Sequence, residues 1–356
     1  MQERALVIAE GAYRTGDAKT AHGLVRGPSR WEIAGVVDST CAGGDAGTLL
    51  DGRARGIPVL ASLDDALAKP GPKPGWCVVG VATHGGRLTG ELRAVLLRAA
   101  SAGLSIVNGL HEPAGEDEAI ARAAHGSGAL IIDLRKPKPV RELAFWHGHA
   151  LKLPVPRVAV LGTDCALGKR TTTQLLVSEC RVRGWRAEMV YTGQTGWMQG
   201  TKHGFILDAT PNDFVTGELE RAVVACAREE QPDVIFLEGQ SALRNPSGPC
   251  GAELLLSAGA RLAVLQHAPG RRFFDGAEEL ACKIPPIAEE IALLRFYGAE
   301  VAGVALNTEG LAVDSLERER ARLEAELGLP VVLPLQQGVG RIVEALRSKA
   351  GASAGE

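Results

Sequence analysis

A glycine-rich turn between an apolar segment and a helical segment constrains the fold of this 356-residue chain more than any other feature. Residues 157–175 have the sequence RVAVLGTDCALGKRTTTQL. The apolar run at 158–161 predicts a buried strand that ends at Gly162, and Gly168 and Lys169 begin a helix. Glycines let backbone N–H groups point inward, the helix N-terminus adds positive potential, and Lys169 adds a mobile charge. These features predict a phosphate-binding loop within an α/β sheet.

The predicted cofactor-binding residues of this loop are Gly162, Thr163, Asp164, Cys165, Ala166, Leu167, Gly168, Lys169, Arg170, Thr171 and Thr172. The match to the common pattern is imperfect, because five residues separate Gly162 from Gly168 and Arg170 stands where a Mg²⁺-binding hydroxyl is usual. Thr171 or Thr172 is another source of that hydroxyl, although one position of shift rotates a helical side chain by about 100°. The loop therefore indicates a phosphate ligand more directly than Mg·ATP. The alternative is a glycine-rich turn with a solvated lysine.

The remainder of the chain alternates short apolar runs with helical patterns, which is typical of parallel sheets covered on both faces. Strands are predicted at 4–10, 32–38, 77–82, 105–109, 129–133, 157–161, 188–192, 233–237, 261–266, 301–307 and 330–334, and first-half helices at 91–102 and 117–124. Proline-rich segments at 136–139 and 153–156 separate the two series. The sequence therefore predicts an α/β protein with a Rossmann-like N-terminal domain at 1–150 and a P-loop NTPase-like C-terminal domain at 151–356.

The first half has no GxGxxG fingerprint after its opening strand. Gly11 is followed by the bulkier Ala12, Tyr13 and Arg14. Asp38 ends the second predicted strand, where dinucleotide-binding folds place the acid that holds a ribose. Without the glycines, Asp38 alone gives little support for an NAD site.

Composition and charge exclude several classes of partner. The formal net charge is -3, with no basic excess that would favour nucleic acid. No apolar run is long enough for a membrane span, and the N-terminus has no signal-peptide pattern. Seven cysteines lie singly between Cys41 and Cys282, without CxxC pairs. We expect a reduced cytoplasmic protein with no nucleic-acid partner, no membrane contact and no metal site.

Two carboxylates of the second half are candidate catalytic residues. Glu238 follows the apolar strand at 233–237, where phosphate-loop proteins hold a metal-bound water or a catalytic base. The alternative role for Glu238 is to cap the next turn. Asp213, in the sequence LDATPNDF, is a second candidate base or the N-cap of the following helix.

Six residues at predicted strand ends are candidate substrate ligands, namely Gln194, Thr195, Gln240, Ser241, His267 and Arg271. Gln194 and Thr195 lie in a glycine-rich segment that permits close backbone approach to a ligand. His267 is either an acid/base group or a structural hydrogen-bonding residue. Arg271 either pairs with a substrate carboxylate or lies on a solvated face.

Several motifs occur together in one order across the second half. They are LGTDCALGKRTTT, TGQTGW, the pattern Asp-Phe-x-x-Gly-x-x-Glu at 213–220, LEGQSAL, QHAPGR and LNTEG. KTAHGLVR and NGLH occur in the first half. Together these motifs resemble the D-glutamate N-acetyltransferase family over nearly the whole chain. The segment 162–169 alone also resembles the loop of dethiobiotin synthetase.

This resemblance implies transfer of an acetyl group from acetyl-CoA to the amino group of a D-amino acid such as D-glutamate. Coenzyme A carries phosphates that the loop can hold without Mg²⁺. This agrees with the presence of Arg170 at the position where a Mg²⁺-binding hydroxyl is usual. Glu238, or Asp213 in second place, would then deprotonate the substrate ammonium. Two alternatives stay open: a kinase or amide ligase that uses ATP with Mg²⁺, and a nucleotide-binding regulator without catalysis. We also expect a small amino acid substrate and a homo-oligomer.

Overall fold

The computed structural model describes residues 2–353. Its strands are β1 (Arg4–Ile8), β2 (Glu32–Val37), β3 (Val59–Leu60), β4 (Trp76–Val79), β5 (Ser105–Asn108), β6 (Ile131–Asp133), β7 (Arg157–Gly162), β8 (Ala187–Tyr191), β9 (His203–Gly204), β10 (Val234–Glu238), β11 (Leu262–His267), β12 (Glu300–Leu306) and β13 (Val331–Val332). Its α-helices are α1 (Lys19–Arg26), α2 (Ala46–Asp51), α3 (Leu63–Ala68), α4 (Gly90–Ser101), α5 (Glu118–Ser127), α6 (Lys169–Val182), α7 (Gln194–Met198), α8 (Asn212–Glu230), α9 (Ala252–Leu256), α10 (Ile287–Phe296), α11 (Leu316–Leu327), α12 (Pro334–Gln337) and α13 (Gly340–Ser353).

The chain forms two compact units. The first contains the described residues up to Lys138 together with Gln194–Gly200, and the second contains Pro139–Gly193 and the described residues from Thr201 onward. The division after Lys138 falls within the proline-rich segment 136–139, twelve residues before the boundary expected at residue 150. The short helix α7 therefore belongs to the first unit, although its neighbours in the sequence belong to the second.

The first unit is a parallel sheet with the strand order β3-β2-β1-β4-β5-β6. Side chains of a strand alternate between the two faces, so Leu6 and Ile8 pack with Leu96 of α4. Val7 packs on the opposite face with Leu24 of α1. This two-sided burial explains the continuous apolar runs and confirms the predicted Rossmann-like domain.

The second unit is a parallel sheet with the strand order β13-β12-β11-β7-β10-β8-β9. Every residue of β7 is buried, because neighbouring strands flank it on both sides and its faces are covered. The carboxyl ends of β7, β10 and β11 lie at one edge of the sheet, so Gly162, Glu238 and His267 are brought to that edge. The predicted P-loop domain is confirmed.

The strands predicted from apolar runs all appear, with ends that differ by up to three residues. The structure adds β3 and β9, two-residue strands at sheet edges, and the short helices α2 and α3. Such short elements contain too few residues to show a clear periodic pattern. Among residues 2–353, no helix combines the length and apolar character that a membrane crossing requires.

Candidate functional site

The loop between β7 and α6 presents the N-terminus of a long helix. Gly168 is the N-cap of the 14-residue α6, and its φ of 97° lies in the left-handed region that favours glycine. Within the described part of the chain, no side-chain hydrogen bond caps this helix end. The amides of the first turn and the helix dipole therefore give the loop a positive electrostatic potential suited to an anion.

Lys169 is the buried cation of the loop. Its side chain is only 6% exposed, and its Nζ donates hydrogen bonds to the carbonyl oxygens of Asp164 at 2.6 Å and Ser241 at 2.7 Å. Burial lowers the pKa of Lys169 to about 8, against the opposing charges of Cys165, Asp164, Cys250 and Glu238. The ammonium is held between backbone oxygens at the inner side of the loop, where a phosphate oxygen is an alternative partner.

Asp164 is a fully buried anchor for the loop. Its Oδ1 accepts hydrogen bonds from the Cys165 amide at 2.7 Å and from Asn245 Nδ2 at 2.9 Å. Its Oδ2 accepts from Arg271 Nη1 at 3.0 Å and from the Asp275 amide at 2.8 Å. Four donors therefore fix this carboxylate, and through it the path of the loop.

Arg271 holds the loop from the outside. Besides Asp164, its guanidinium contacts the Cys165 carbonyl at 3.0 Å and Glu309 at 2.9 Å. Asn307 Nδ2 donates to the Leu167 carbonyl at 3.1 Å. In the structure the Arg271 guanidinium donates its hydrogen bonds to oxygen atoms of the protein. Its pairing with a substrate carboxylate therefore stays a prediction.

Glu238 is a buried carboxyl group beside the loop. It is 3% exposed, and its Oε2 accepts a hydrogen bond from the Thr192 amide at 3.2 Å. Burial raises the pKa of Glu238 to about 7, despite the opposing positive charges of Arg170 and Lys169. A carboxyl group with this pKa exchanges protons readily near neutral pH, as a general base requires.

Two of the predicted substrate residues support the backbone around Glu238 and Lys169. Gln240 Nε2 donates to Thr192 Oγ1 at 2.9 Å, and that hydroxyl donates to the Glu238 carbonyl at 2.7 Å. Ser241 has a φ of 25°, strained for a non-glycine residue, and its carbonyl accepts from Lys169. The structure thus brings Gln240, Ser241, Lys169 and Glu238 together.

His267 lies at the end of β11 against the start of the loop. Its Nδ1 is 2.9 Å from Thr163 Oγ1, and burial lowers its pKa to about 4. The neighbouring Gln266 accepts from the Thr163 amide through its carbonyl and from Thr172 through Oε1, at 3.0 and 2.6 Å. The structure shows the hydrogen-bonding role of His267, and its acid/base role stays a prediction.

The other predicted residues lie elsewhere. Gln194 and Thr195 are in α7 of the first unit, where Thr195 Oγ1 is 3.0 Å from Thr20 Oγ1. Asp213 is exposed in the first turn of α8, whose N-cap is Pro211, so the N-cap alternative for Asp213 is wrong, and its role as a base stays a prediction. Among the described residues, no hydrogen bond or ion pair joins Asp213 to Glu238 or to the loop.

One group of potential metal ligands lies in β9 and α8. Side-chain donor atoms of His203, Glu229 and Glu230 lie within 4.8 Å of one another. Lys202 Nζ already pairs with both carboxylates, at 2.9 and 2.7 Å. Because a protein ammonium already compensates these charges, the cluster is accounted for as an ion-pair network.

Sequence and structure comparisons extend this description. Two family models match: the domain of unknown function DUF1611, described as a P-loop domain, over residues 144–343, and its N-terminal Rossmann-like domain over residues 39–137. The chain is similar to a D-glutamate N-acetyltransferase of Tritonibacter scottomollicae, with 30% identity over 276 residues, which is 76% of this chain and 80% of the relative.

A second D-glutamate N-acetyltransferase, from a Pseudoalteromonas species, is 28% identical over 274 residues, which is 75% of this chain and 79% of that protein. A crystal structure of a DUF1611 family protein from Anabaena variabilis superposes with a TM-score of 0.88 at 30% identity. The match covers 97% of this chain and 99% of that one.

Proposed function

We propose that this chain, which belongs to the DUF1611 family, is an N-acetyltransferase that moves acetyl from acetyl-CoA to the amino group of a D-amino acid such as D-glutamate. One observation carries the proposal: a buried carboxyl group with a pKa of about 7, Glu238, lies beside the cationic phosphate loop that begins α6. The names of two relatives support the acetyl transfer.

The loop residues fit the phosphates of coenzyme A. The uncapped N-terminus of α6 offers amide donors, and the ammonium of Lys169 is the nearby cation. A Cβ added at Gly162 would lie 3.2 Å from Lys169 Nζ, so the glycine leaves the space that this side chain needs. When bound there, acetyl-CoA supplies a thioester whose carbonyl carbon accepts the substrate amine while the thiolate leaves.

Glu238 would supply the proton transfer for this reaction. An amino acid arrives as an ammonium, which is not nucleophilic, so a base must first remove one proton. The Glu238 carboxylate accepts this proton at its carboxyl oxygen, and the pKa of about 7 leaves a large ionised fraction at neutral pH. Loop amides that are not used by phosphate would stabilise the negative charge that develops on the carbonyl oxygen.

The same residues fit Mg²⁺ poorly, which weighs against an ATP-dependent kinase or ligase. Arg170 stands where the metal-binding hydroxyl is usual, and four protein donors occupy the carboxylate of Asp164. The hydroxyl of Thr172 is donated to Gln266. Thr171 is one position too late, which turns its side chain by about 100° around the helix.

Incubation of the full chain with acetyl-CoA and a panel of D- and L-amino acids, followed by mass spectrometry, tests the proposal. We expect an N-acetylated product with D-glutamate or a related D-amino acid in the presence of EDTA. Lys169→Met should reduce the rate, and Lys202→Met is its control, because Lys202 belongs to the His203 ion-pair network. Absence of product from every amino acid, or a strict need for ATP and Mg²⁺, would contradict the proposal.

A further inference from the structure

A crevice in the first unit lies at the carboxyl ends of β1 and β4. These strands are neighbours, yet the chain leaves β1 toward β2 on one side and β4 toward β5 on the other. Such a switch point is where open parallel sheets bind ligands. The crevice has a volume of about 650 Å³ and is lined only by residues of the first unit. This volume is in the range of small-molecule sites.

The crevice is not built for a dinucleotide. The segment after β1, 11–16, keeps the first and last glycines of the fingerprint but has Tyr13 where the backbone must approach a diphosphate. The Tyr13 ring is buried, its hydroxyl donates to the Ala46 carbonyl at 2.8 Å, and its amide donates to Asp38 at 2.8 Å. Asp38 also accepts from Thr40, so it is not available for a ribose.

The lining of the crevice is acidic on an apolar base. Its charged or polar members are Glu10, Asp17, Thr83, His84, Thr89 and Glu91, and it contains no lysine or arginine. Glu10 accepts a hydrogen bond from the Ser39 amide at 3.0 Å. Within residues 2–353, no hydrogen bond or ion pair engages the carboxylates of Asp17 and Glu91. Ile8, Val81 and Leu92 supply apolar walls.

The acidic and apolar lining of the crevice indicates the charge and the chemical class of its ligand. Carboxylates that line a concave, partly apolar wall attract cations and repel phosphates and carboxylates. The volume of about 650 Å³ corresponds to roughly twenty water molecules, far more than a single metal ion needs. The apolar walls would contact a hydrocarbon body. A cation with an organic body therefore matches the crevice better than an ion alone.

We propose that this crevice is a second ligand site, which binds a small organic cation with an ammonium or guanidinium group on a short hydrocarbon chain. The site is distinct from that of the acetyl acceptor, because surrounding carboxylates favour the protonated amine and so oppose its use as a nucleophile. The inference does not depend on the acetyl transfer.

Isothermal titration calorimetry of the full chain at low salt, without acetyl-CoA, tests this site. The probes are pentylamine, cadaverine and agmatine, with pentanol and glutarate as neutral and anionic matches. We expect saturable binding of at least one cation, and none of glutarate or NADH. Asp17→Asn combined with Glu91→Gln should weaken the binding by roughly tenfold, since each exposed charge contributes modestly.

Glu118→Gln is the matched control, because Glu118 lies in the first turn of α5 as Glu91 lies in the first turn of α4. It should leave binding unchanged. If the double variant fails to fold, Glu91→Gln alone, at an exposed position, is measured and should weaken binding by about threefold. Equal binding of cation and pentanol, no effect of the variants, or binding of Ca²⁺ or Mg²⁺ without any amine would overturn the proposal.

Discussion

Two buried carboxylates follow strands of the two sheets, and their pKa values shift in opposite directions. Asp38, after β2, is fully buried, yet hydrogen bonds from Thr40 and from the amides of Tyr13 and Gly11 outweigh burial and lower its pKa. Glu238, at the end of β10, is 3% exposed and accepts from the amides of Thr192 and Gly193, and burial raises its pKa to about 7. The larger number of donors at Asp38 and the stronger desolvation of Glu238 together separate the two pKa values.

This difference assigns different tasks to similar positions. A carboxylate that receives many hydrogen bonds stays ionised and fixes the backbone around it, as Asp38 does in the first unit. The Asp164 carboxylate also accepts several hydrogen bonds, which fix the path of the loop. A carboxyl group with fewer donors retains the ability to exchange a proton near pH 7. The comparison therefore predicts that Glu238 acts in chemistry while Asp38 and Asp164 act in structure.

The largest expected effect comes from removing the base. Glu238→Gln should lower kcat/KM for acetyl transfer by roughly 100- to 10,000-fold, because the amide cannot accept the substrate proton. Asp213→Asn, the other acidic candidate from the sequence, should change it by less than about twofold, since Asp213 is exposed in α8. Steady-state kinetics checks both. A larger loss with Asp213→Asn would reverse the assignment.

Substitution of the buried carboxylates Asp164 and Asp38 should change local stability, whereas substitution of Glu238 should change the reaction rate. Asp164→Asn breaks a charged hydrogen bond to Arg271 and should reduce the local opening free energy at the Cys165 and Asp275 amides by about 3 kcal/mol. Asp38 has no ion-pair partner among residues 2–353. Asp38→Asn should therefore reduce the opening free energy at the Tyr13 amide by only about 1 kcal/mol. Native-state hydrogen exchange measures both. Equal losses would show that Arg271 contributes nothing to the anchor.

The pH dependence tests the raised pKa of Glu238 directly. Glu238 must be ionised to accept a proton, so kcat/KM should rise with pH and level off above about 7. Below this value the rate should fall by about tenfold per pH unit. Loss of the Lys169 charge near its pKa of about 8 should lower the rate again at higher pH. A profile with its acid limb near pH 4.5 would contradict the burial of Glu238.

The smallest expected effect compares two loop glycines. Gly168 and Gly11 have positive φ values of 97° and 68°, and a Cβ at either would meet no atom within 4 Å. Alanine at each should destabilise its unit by about 1 kcal/mol through backbone strain. Only Gly168→Ala should also weaken coenzyme A binding, because Gly168 is the N-cap of α6 in the phosphate loop. Melting curves with and without coenzyme A distinguish these effects.

The sequence predicted the parts of the site that depend on local pattern. The apolar run before Gly162 and the helical pattern after Gly168 predict the phosphate loop. The apolar run at 233–237 predicts the strand that places Glu238 at the same sheet edge. The hydrogen-bond partners of Asp164 could not be predicted in this way. Asn245 and Asp275 lie 81 and 111 positions further along the chain, in irregular segments without a periodic signal.

The substrate candidates show the same limit. Gln194 and Thr195 follow a strand of the second unit closely in sequence, but packing of α7 assigns them to the first unit. The sequence does not indicate that α7 packs in the first unit, because this helix is short and both units share the same α/β pattern. The sequence also does not predict which carboxylates pair with Arg271, because a carboxylate of the protein and one of a substrate are chemically alike.

Calorimetric titration of the full chain in EDTA, with coenzyme A and with pantetheine, tests most directly whether the loop of α6 binds coenzyme A through its phosphates. Pantetheine has the same thiol arm without the phosphates. We predict that coenzyme A binds and that pantetheine, or coenzyme A with Lys169→Met, binds roughly 10- to 100-fold more weakly. Equal affinity for the two ligands, or binding of ATP with Mg²⁺ and none of coenzyme A, would contradict this account.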